Sequence, residues 1–314
     1  MTLPLLLLVL LSLAGCSREQ PEDAPAGTLV AAPADSAEEF QGRAYERNIV
    51  FLTARSDSAL LVPWMIRART LPGGVRREAR GFLARGEAWE PFFTEEWETP
   101  PTRAPWRILP RGRMRLLVGA DDGLERLIFE EGPRQLEVAL EGTLAEWTGP
   151  RGDVFRLLDG ALVLSSTRVP GFILDMARAR RARDAAGGDW GVLLSGDSLQ
   201  LVLHAPEAGA TPSQGIYRGW ARLQGQEFQW PDLTITWGET RAFQAARRDV
   251  PVEWFAVSAD GDVRADLRVS TAQIEAAPGE GPQLPVEALF EVEGTVRIGE
   301  GTYPVRGLLR HFQP

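Results

Sequence analysis

Val263-Arg-Ala-Asp-Leu-Arg-Val-Ser-Thr271 decides the fold class. Val263, Ala265, Leu267 and Val269 share one face of an extended chain, and Arg264, Asp266, Arg268 and Ser270 share the other. A helix would scatter these residues around its circumference, whereas a strand with one dry and one wet face sorts them as written. The same period continues downstream, where Phe290, Val292, Val296 and Ile298 alternate with Glu291, Glu293, Thr295 and Arg297. Gly299-Glu300-Gly301 then turns the chain into Tyr303, Val305, Gly307 and Leu309, so the two runs read as one long hairpin.

Outward from that hairpin, period two dominates everything after Tyr45. Asp122-Gly123, Asp159-Gly160, Gly196-Asp197 and Asp260-Gly261 are candidate two-residue turns between apolar runs. The carboxylates of Asp260, Asp262 and Asp266 belong to such a turn, because a calcium loop needs more widely spaced oxygens. The pattern predicts a mainly β chain of two tandem antiparallel barrels, one over 45–186 and one over 187–314. One segment departs from it. Phe172, Ile173, Met176 and Ala179 recur at helical spacing and Gly187-Gly188 supplies a stop, which predicts one short helix from Gly171 to Ala186, between or beside the barrels. In Phe228-Gln-Trp-Pro-Asp-Leu-Thr-Ile-Thr-Trp237 the apolar parity flips at Pro231, as a bulge would make it. Arg80-Gly81-Phe82, Arg218-Gly219-Trp220 and Arg306-Gly307-Leu308 echo one another, each with a glycine on the apolar face, where it marks a bend or a close approach. Trp89-Glu-Pro-Phe-Phe93 and Trp97-Glu-Thr-Pro-Pro101 read as a Pro-rich aromatic connection.

With 44% apolar and 25% charged residues, the 314-residue chain can build one large core or two modest ones. All 34 basic residues are Arg, so Schiff-base chemistry and lysine-bearing phosphate loops are excluded. Cys16 is the sole thiol and His204 and His311 are the two imidazoles, which excludes a disulfide framework and zinc sites of three His or a Cys cluster. No metal or cofactor is expected.

The N-terminal text describes an address. Leu5 to Leu13 is apolar but far short of the about 20 residues needed to cross a bilayer, and fits the hydrophobic region of a secretory signal over residues 1–15. It ends in Leu13-Ala14-Gly15-Cys16, which resembles the lipobox of bacterial lipoproteins. The resemblance implies cleavage before Cys16, a diacylglyceryl group on its sulfur and a further amide-linked chain such as palmitate, which together exceed marginal one-chain binding. Ser17 rather than Asp follows, which by analogy with enteric bacteria favours the outer membrane, the protein facing the periplasm. Residues 16–44 read as the lipidated Cys and an acidic tether: Ser17 to Glu39 holds one Arg and six acids. That stretch carries −5 of the chain's −9, so the remainder is nearly balanced and a nucleic-acid partner has no support.

Trp254-Phe-Ala-Val-Ser-Ala-Asp-Gly-Asp262, the alternating strand after it, and Val292-Glu-Gly-Thr-Val-Arg-Ile298 leading to Tyr303-Pro-Val-Arg-Gly307 resemble the closing part of the lipocalin-like proteins related to AttH and the carotenoid hydratases. The resemblance covers roughly Ala210 to Pro314. It implies two calycin-type barrels in tandem and an apolar ligand cavity. Where the family closes with Gly-aromatic-x-Glu, this chain has Gly307-Leu308-Leu309-Arg310-His311, so no catalytic carboxylate is carried over and no catalytic residue is assigned.

His311 continues the face of Tyr303, Val305 and Leu309 and is expected inside the barrel. His204 lies opposite Leu199, Leu201 and Leu203, hence outward, with no role. Trp220, Trp230, Trp237 and Trp254 crowd the second half, and large aromatics in an eight-stranded barrel either fill it or line a pocket. These four, with Tyr303 and His311, are the ligand-binding candidates. Three readings stand: a lipid-anchored envelope protein that binds an apolar or amphipathic small molecule, a hydratase, isomerase or hydrolase acting on such a molecule, and a scaffold or assembly factor with filled barrels. No GxSxG or HExxH motif is present.

Overall fold

The computed structural model describes residues 42–53, 60–86, 88–105, 107, 112–119, 121–149, 153–181, 188–205 and 214–314. The leader, Cys16 and the acidic tether lie outside them. The first unit comprises β1 (Arg43–Leu52), β2 (Leu60–Leu71), β3 (Gly74–Arg85), β4 (Ala88–Thr99), β5 (Met114–Val118), β6 (Leu124–Glu131), β7 (Arg134–Thr148), β8 (Val154–Leu164) and β9 (Thr167–Arg181). They form one antiparallel sheet in the order β4-β3-β2-β1-β9-β8-β7-β6-β5. The sheet curls until its two edges meet through side chains rather than a ladder. Phe92 and Phe93 on β4 pack on Phe129 of β6 at 5.0 and 5.8 Å between ring centres, and Arg113 reaches Glu95 at 3.3 Å. Inside the curl Phe51, Trp64, Ile66, Leu127, Leu158 and Ile173 make a filled core.

The second unit comprises β10 (Trp190–Ser195), β11 (Leu199–His204), β12 (Gln214–Leu223), β13 (Gln226–Trp237), β14 (Thr240–Phe243), β15 (Arg248–Pro251), β16 (Glu253–Ser258), β17 (Val263–Ala276), β18 (Val286–Ile298) and β19 (Gly301–Gln313). Eight of these close into a barrel, β10-β11-β12-β13-β16-β17-β18-β19, while β14 and β15 form a separate hairpin. That hairpin sits on one end of the barrel: Ala246 and Val250 join the interior cluster, and Leu284 N–H donates to the Ala246 carbonyl at 3.0 Å. The long hairpin read from the sequence is β18–β19, with Ile298 paired to Gly301. Gly307 faces Leu193 across the closing ladder, and a Cβ there would run into the Val192 carbonyl, so the barrel closes on a glycine. The parity flip at Pro231 is a bulge: Tyr217 pairs with Leu233 and Gly219 with Trp230, leaving Pro231 and Asp232 opposite Arg218.

Three expectations are corrected. Gly171 to Arg181 is the extended strand β9, not a helix; residues 182–186 lie outside the described residues. Phe172, Leu174 and Met176 are buried against the second unit while Ile173 is buried inside the first, so both faces are dry and the apolar run has no period to read. Asp159-Gly160 is no turn but lies in mid-strand on β8, where a Cβ on Gly160 would meet the Ala139 carbonyl. The stretch holding Trp89 and Trp97 is β4 itself, with Pro91 on an edge strand that can spare an N–H.

The outer faces of the two units pack on each other. Val50, Leu52, Phe155, Leu174 and Met176 of the first meet Trp190, Val192, Val202, Trp220 and Leu308 of the second in one buried cluster. Its rim is polar: Trp89 Nε1–H donates to Thr271 Oγ1 at 2.8 Å and Arg80 reaches Glu275 at 2.7 Å. Beside it lies a buried ion cluster in which Glu287 accepts from Arg67 and, at 3.1 Å, from Arg310. Burial opposes the charge on Glu287, but Arg310 and Arg67 outweigh it and hold the carboxyl at about 2.

A carboxyl held below its ordinary 4.5 stabilises the fold above that pH, and the contribution is lost as pH falls toward about 2. Glu287→Gln is expected to lower unfolding free energy at neutral pH by on the order of 3 kcal/mol, because the Arg310 guanidinium stays buried, and Arg67 partly so, without it. Denaturant melts of both proteins between pH 7 and pH 2 check this, with the gap closing across the acidic part of the range.

Candidate functional site

The connector between the units supplies the central group. Gly188 and Asp189 stand immediately before β10, and the Gly188 carbonyl accepts from Arg178 at 3.0 Å and Arg310 at 3.4 Å. Asp189 turns inward at the barrel's end. Its Oδ2 accepts from Tyr217 Oη at 2.6 Å and faces His311 Nδ1 at 2.7 Å, and its Oδ1 accepts from the Phe312 backbone N–H at 2.8 Å. Burial alone would push the Asp189 carboxyl up, but the charge and hydrogen bond of His311 and the bonds from Tyr217 and Phe312 prevail and hold it below its ordinary range. Tyr217 moves the other way: burial first, then the neighbouring carboxylate, push its phenol well above 10.

With Nδ1–H given to Asp189, a neutral His311 keeps its lone pair on Nε2. That nitrogen is buried and has no hydrogen-bond partner among the described residues. Aromatic rings wall it in: Trp237 stands edge-on at 5.3 Å, Trp254 at 6.4 Å and Phe290 at 6.3 Å. The space beside the ring, bounded by Asp189, Tyr217, Ile235, Trp254 and His311, measures about 10 Å³, room for a single water. Beside the imidazole, among the described residues, the barrel end thus leaves one small polar niche. Carboxylate, imidazole and a dry aromatic wall form the arrangement in which a histidine serves as an oriented acid or base.

β19 separates this niche from a second space. His311 points into the barrel, whereas Arg310 and Phe312 face a cleft of about 420 Å³ against the first unit. Several charges of that cleft are paired internally, Arg67 with Glu287, Arg76 with Glu96 and Glu78 with Arg80, while Arg69 on its lining is exposed. Burial opposes the charge on Glu46, but Arg310, Arg178 and Arg67 hold its carboxyl below its ordinary range. An ion network that joins the two units thus makes up much of the cleft's lining.

The structure brings together only part of the candidate set. His311, Trp254 and Trp237 meet around the niche. Trp230 is in the barrel wall beyond the bulge, and Trp220 points outward, stacked on Trp147 of the first unit at 4.5 Å. Tyr303 lies eight residues along β19 from His311, about 26 Å at strand spacing, at the other end. His204 does point away from the barrel lumen, yet it is 3% exposed, covered by the first unit and 3.5 Å from Asp153. Asp189 and Tyr217 were not singled out from the sequence. Asp189 follows two glycines and reads as linker, and the signal for Tyr217 is its parity with Gly219 and Ala221 on the inner face of β12.

No family model matches the chain, and no curated protein matches it. Solved structures do. An AttH candidate from Nitrosomonas europaea superposes with a TM-score of 0.52 at 12% identity, covering 91% of this chain and 97% of its own. The fold is AttH-like. CghA bound to Sch210972 superposes at 0.51 with 13% identity over 86% of this chain and 88% of its own. Kievitone hydratase from Nectria haematococca scores 0.49 at 13% identity.

The Asp189 bonds make a measurable prediction. Above pH 10 the unfolded chain releases a phenolic proton that Tyr217 still holds when folded, so stability falls as pH rises there. Alkaline titration followed by phenolate absorbance is expected to show a component that ionises only as the fold opens, and Tyr217→Phe is expected to reduce that late component by one phenol.

Proposed function

We propose that the protein binds an apolar or amphipathic small molecule carrying one hydroxyl group, at the capped end of the second barrel. The observation that carries this is His311: its Nδ1 is fixed by Asp189 while Nε2 is buried and unpartnered among aromatic rings. A buried polar atom left without a partner costs free energy, and a ligand hydroxyl that donates to Nε2 recovers that cost. The resting niche has room for a single water, so a ligand larger than that enters only as neighbouring side chains move, among them the half-buried Trp237 that stands against the His311 ring. The AttH-like fold supports a ligand-binding reading of the barrel.

The same dyad supports a second reading, an acid–base enzyme of the hydratase or isomerase type. An imidazole oriented by a carboxylate can take a proton from the niche water at Nε2 and return it, and the water-poor wall keeps that transfer directed. Anchoring belongs to the proposal as well. The Leu13-Ala14-Gly15-Cys16 pattern supports lipidation at Cys16, and Ser17 supports retention at the outer membrane, with the acidic tether holding the folded part in the periplasm.

Measurements on the ligand, on the dyad and on the anchor test this. Native mass spectrometry with solvent extraction of the protein purified from a bacterial envelope is expected to find a stoichiometric small molecule. In His311→Phe, which leaves the buried Asp189 carboxylate one donor short and so lowers stability, binding of that molecule by the folded protein is expected to fall at least tenfold, and unchanged binding would refute the site; Asp189→Asn would abolish turnover but retain binding if the enzyme reading holds. Cys16→Ala is expected to leave the chain unprocessed or soluble, and continued fractionation with membranes would refute the anchor.

A further inference from the structure

Where the two units meet, on the face of the barrel opposite its lumen, Trp147 is stacked between Phe155 at 4.9 Å and Trp220 at 4.5 Å, with planes within 10°. Beside this column opens a groove of about 280 Å³, walled by Trp147, Trp220, Trp230 and Pro231 and reached by the side chain of Arg218. The volume is near the lower end of small-molecule sites. The bulge at Pro231–Asp232 forms part of its wall. It places two residues opposite Arg218, and Trp230 and Pro231 beside it contribute to the groove's lining along with Trp220.

Arg218 is the polar feature that the fold does not use. It is exposed, and among the described residues no carboxylate or carbonyl pairs with it. The neighbouring charges are engaged elsewhere: Asp153 faces His204 at 3.5 Å, and Glu146 holds Arg156 at 2.8 Å. Trp220 Nε1–H is also buried without a partner among the described residues. An apolar groove with one open guanidinium at its edge recognises a body that stacks or packs and a head that accepts a charge-assisted pair.

We infer that this groove is a second binding site, separate from the His311 niche, for a small amphipathic carboxylate with a flat apolar body. The ring column supplies the packing surface and Arg218 the counter-charge. The site does not depend on the His311 reading, since the two lie on opposite faces of the barrel wall.

The test uses 2-naphthoate and its uncharged analogue 2-naphthamide, with binding followed by tryptophan fluorescence and calorimetry. The wild-type protein is expected to bind naphthoate about tenfold more tightly than naphthamide at low salt. Arg218→Gln, on an exposed side chain that leaves the fold intact, is expected to make the two equal. His311→Phe is expected to leave naphthoate binding unchanged, which separates this site from the barrel niche. Equal binding of the two probes by the wild type, or naphthoate affinity that survives Arg218→Gln, would overturn the proposal. So would loss of naphthoate binding in His311→Phe, because it would put the probe in the barrel.

Discussion

The carboxylate of Asp189 is the constraint on which the rest of the second unit's working end depends. It is a charge removed from water at the point where the connector enters the barrel, and it survives there because three donors converge on it: Tyr217 from β12, His311 from β19 and the Phe312 backbone from β19. A charge so placed cannot tolerate the loss of its partners, so it fixes the end of β19 relative to β12 and to the start of β10. The imidazole orientation follows from that requirement and needs no other cause. The adjoining Gly188 carbonyl, with Arg178 and Arg310 on it, ties the same connector to the first unit. Two residues of connector thereby set both the inter-unit geometry and the histidine's tautomer.

Backbone approach imposes a second constraint. Where β10 closes on β19 the carbonyl of Val192 occupies the space a Cβ on Gly307 would need, and where β9 meets β1 the carbonyl of Leu52 does the same for Gly171. The first unit solves closure differently. Its edge strands are joined by Phe92, Phe93 and Phe129 and by Arg113, which bonds Glu95 and Glu131, so the seam is covered by rings and ion pairs instead of backbone bonds. An uncovered edge would invite pairing with another chain, and these side chains occupy it.

What could be read in the sequence and what could not divide along the same physical line. Strands with one wet face, such as Val263 to Thr271, declare themselves because polar and apolar residues must alternate. β9 does not, since it is dry on both faces and its Phe172-Ile173-Leu174 run carries no period. The bulge at Pro231 was legible as a parity error, and His311 as a member of the inner face. Trp220 was not, because parity places it outward and only the packing of the two units shows that outward is buried. Asp189 was invisible for a related reason: a carboxylate after two glycines acquires its meaning from strands that lie 28 and 122 residues further on.

Access to the His311 niche is decided by which boundary gives way most cheaply. β19 cannot shift, since Arg310 and His311 are successive residues on it: moving the strand breaks the Arg310–Glu287 pair on one side and the Asp189 bonds on the other. Removing one partner from a buried ion pair costs about 3 to 5 kcal/mol, a large share of a domain's whole stability. β12 is held through Tyr217 in the same network. The β14–β15 hairpin has exposed backbone and a four-residue ladder, and it contributes Val250 and Ala246 to the barrel end with few polar ties, Arg248 to the last two carbonyls among them. Segments of that kind open locally at a small fraction of the global free energy. Polar bonds thus tie down the strands that hold the dyad, and the hairpin end of the barrel is held by fewer of them, so a route to Nε2 past the hairpin breaks less than one through the sheet.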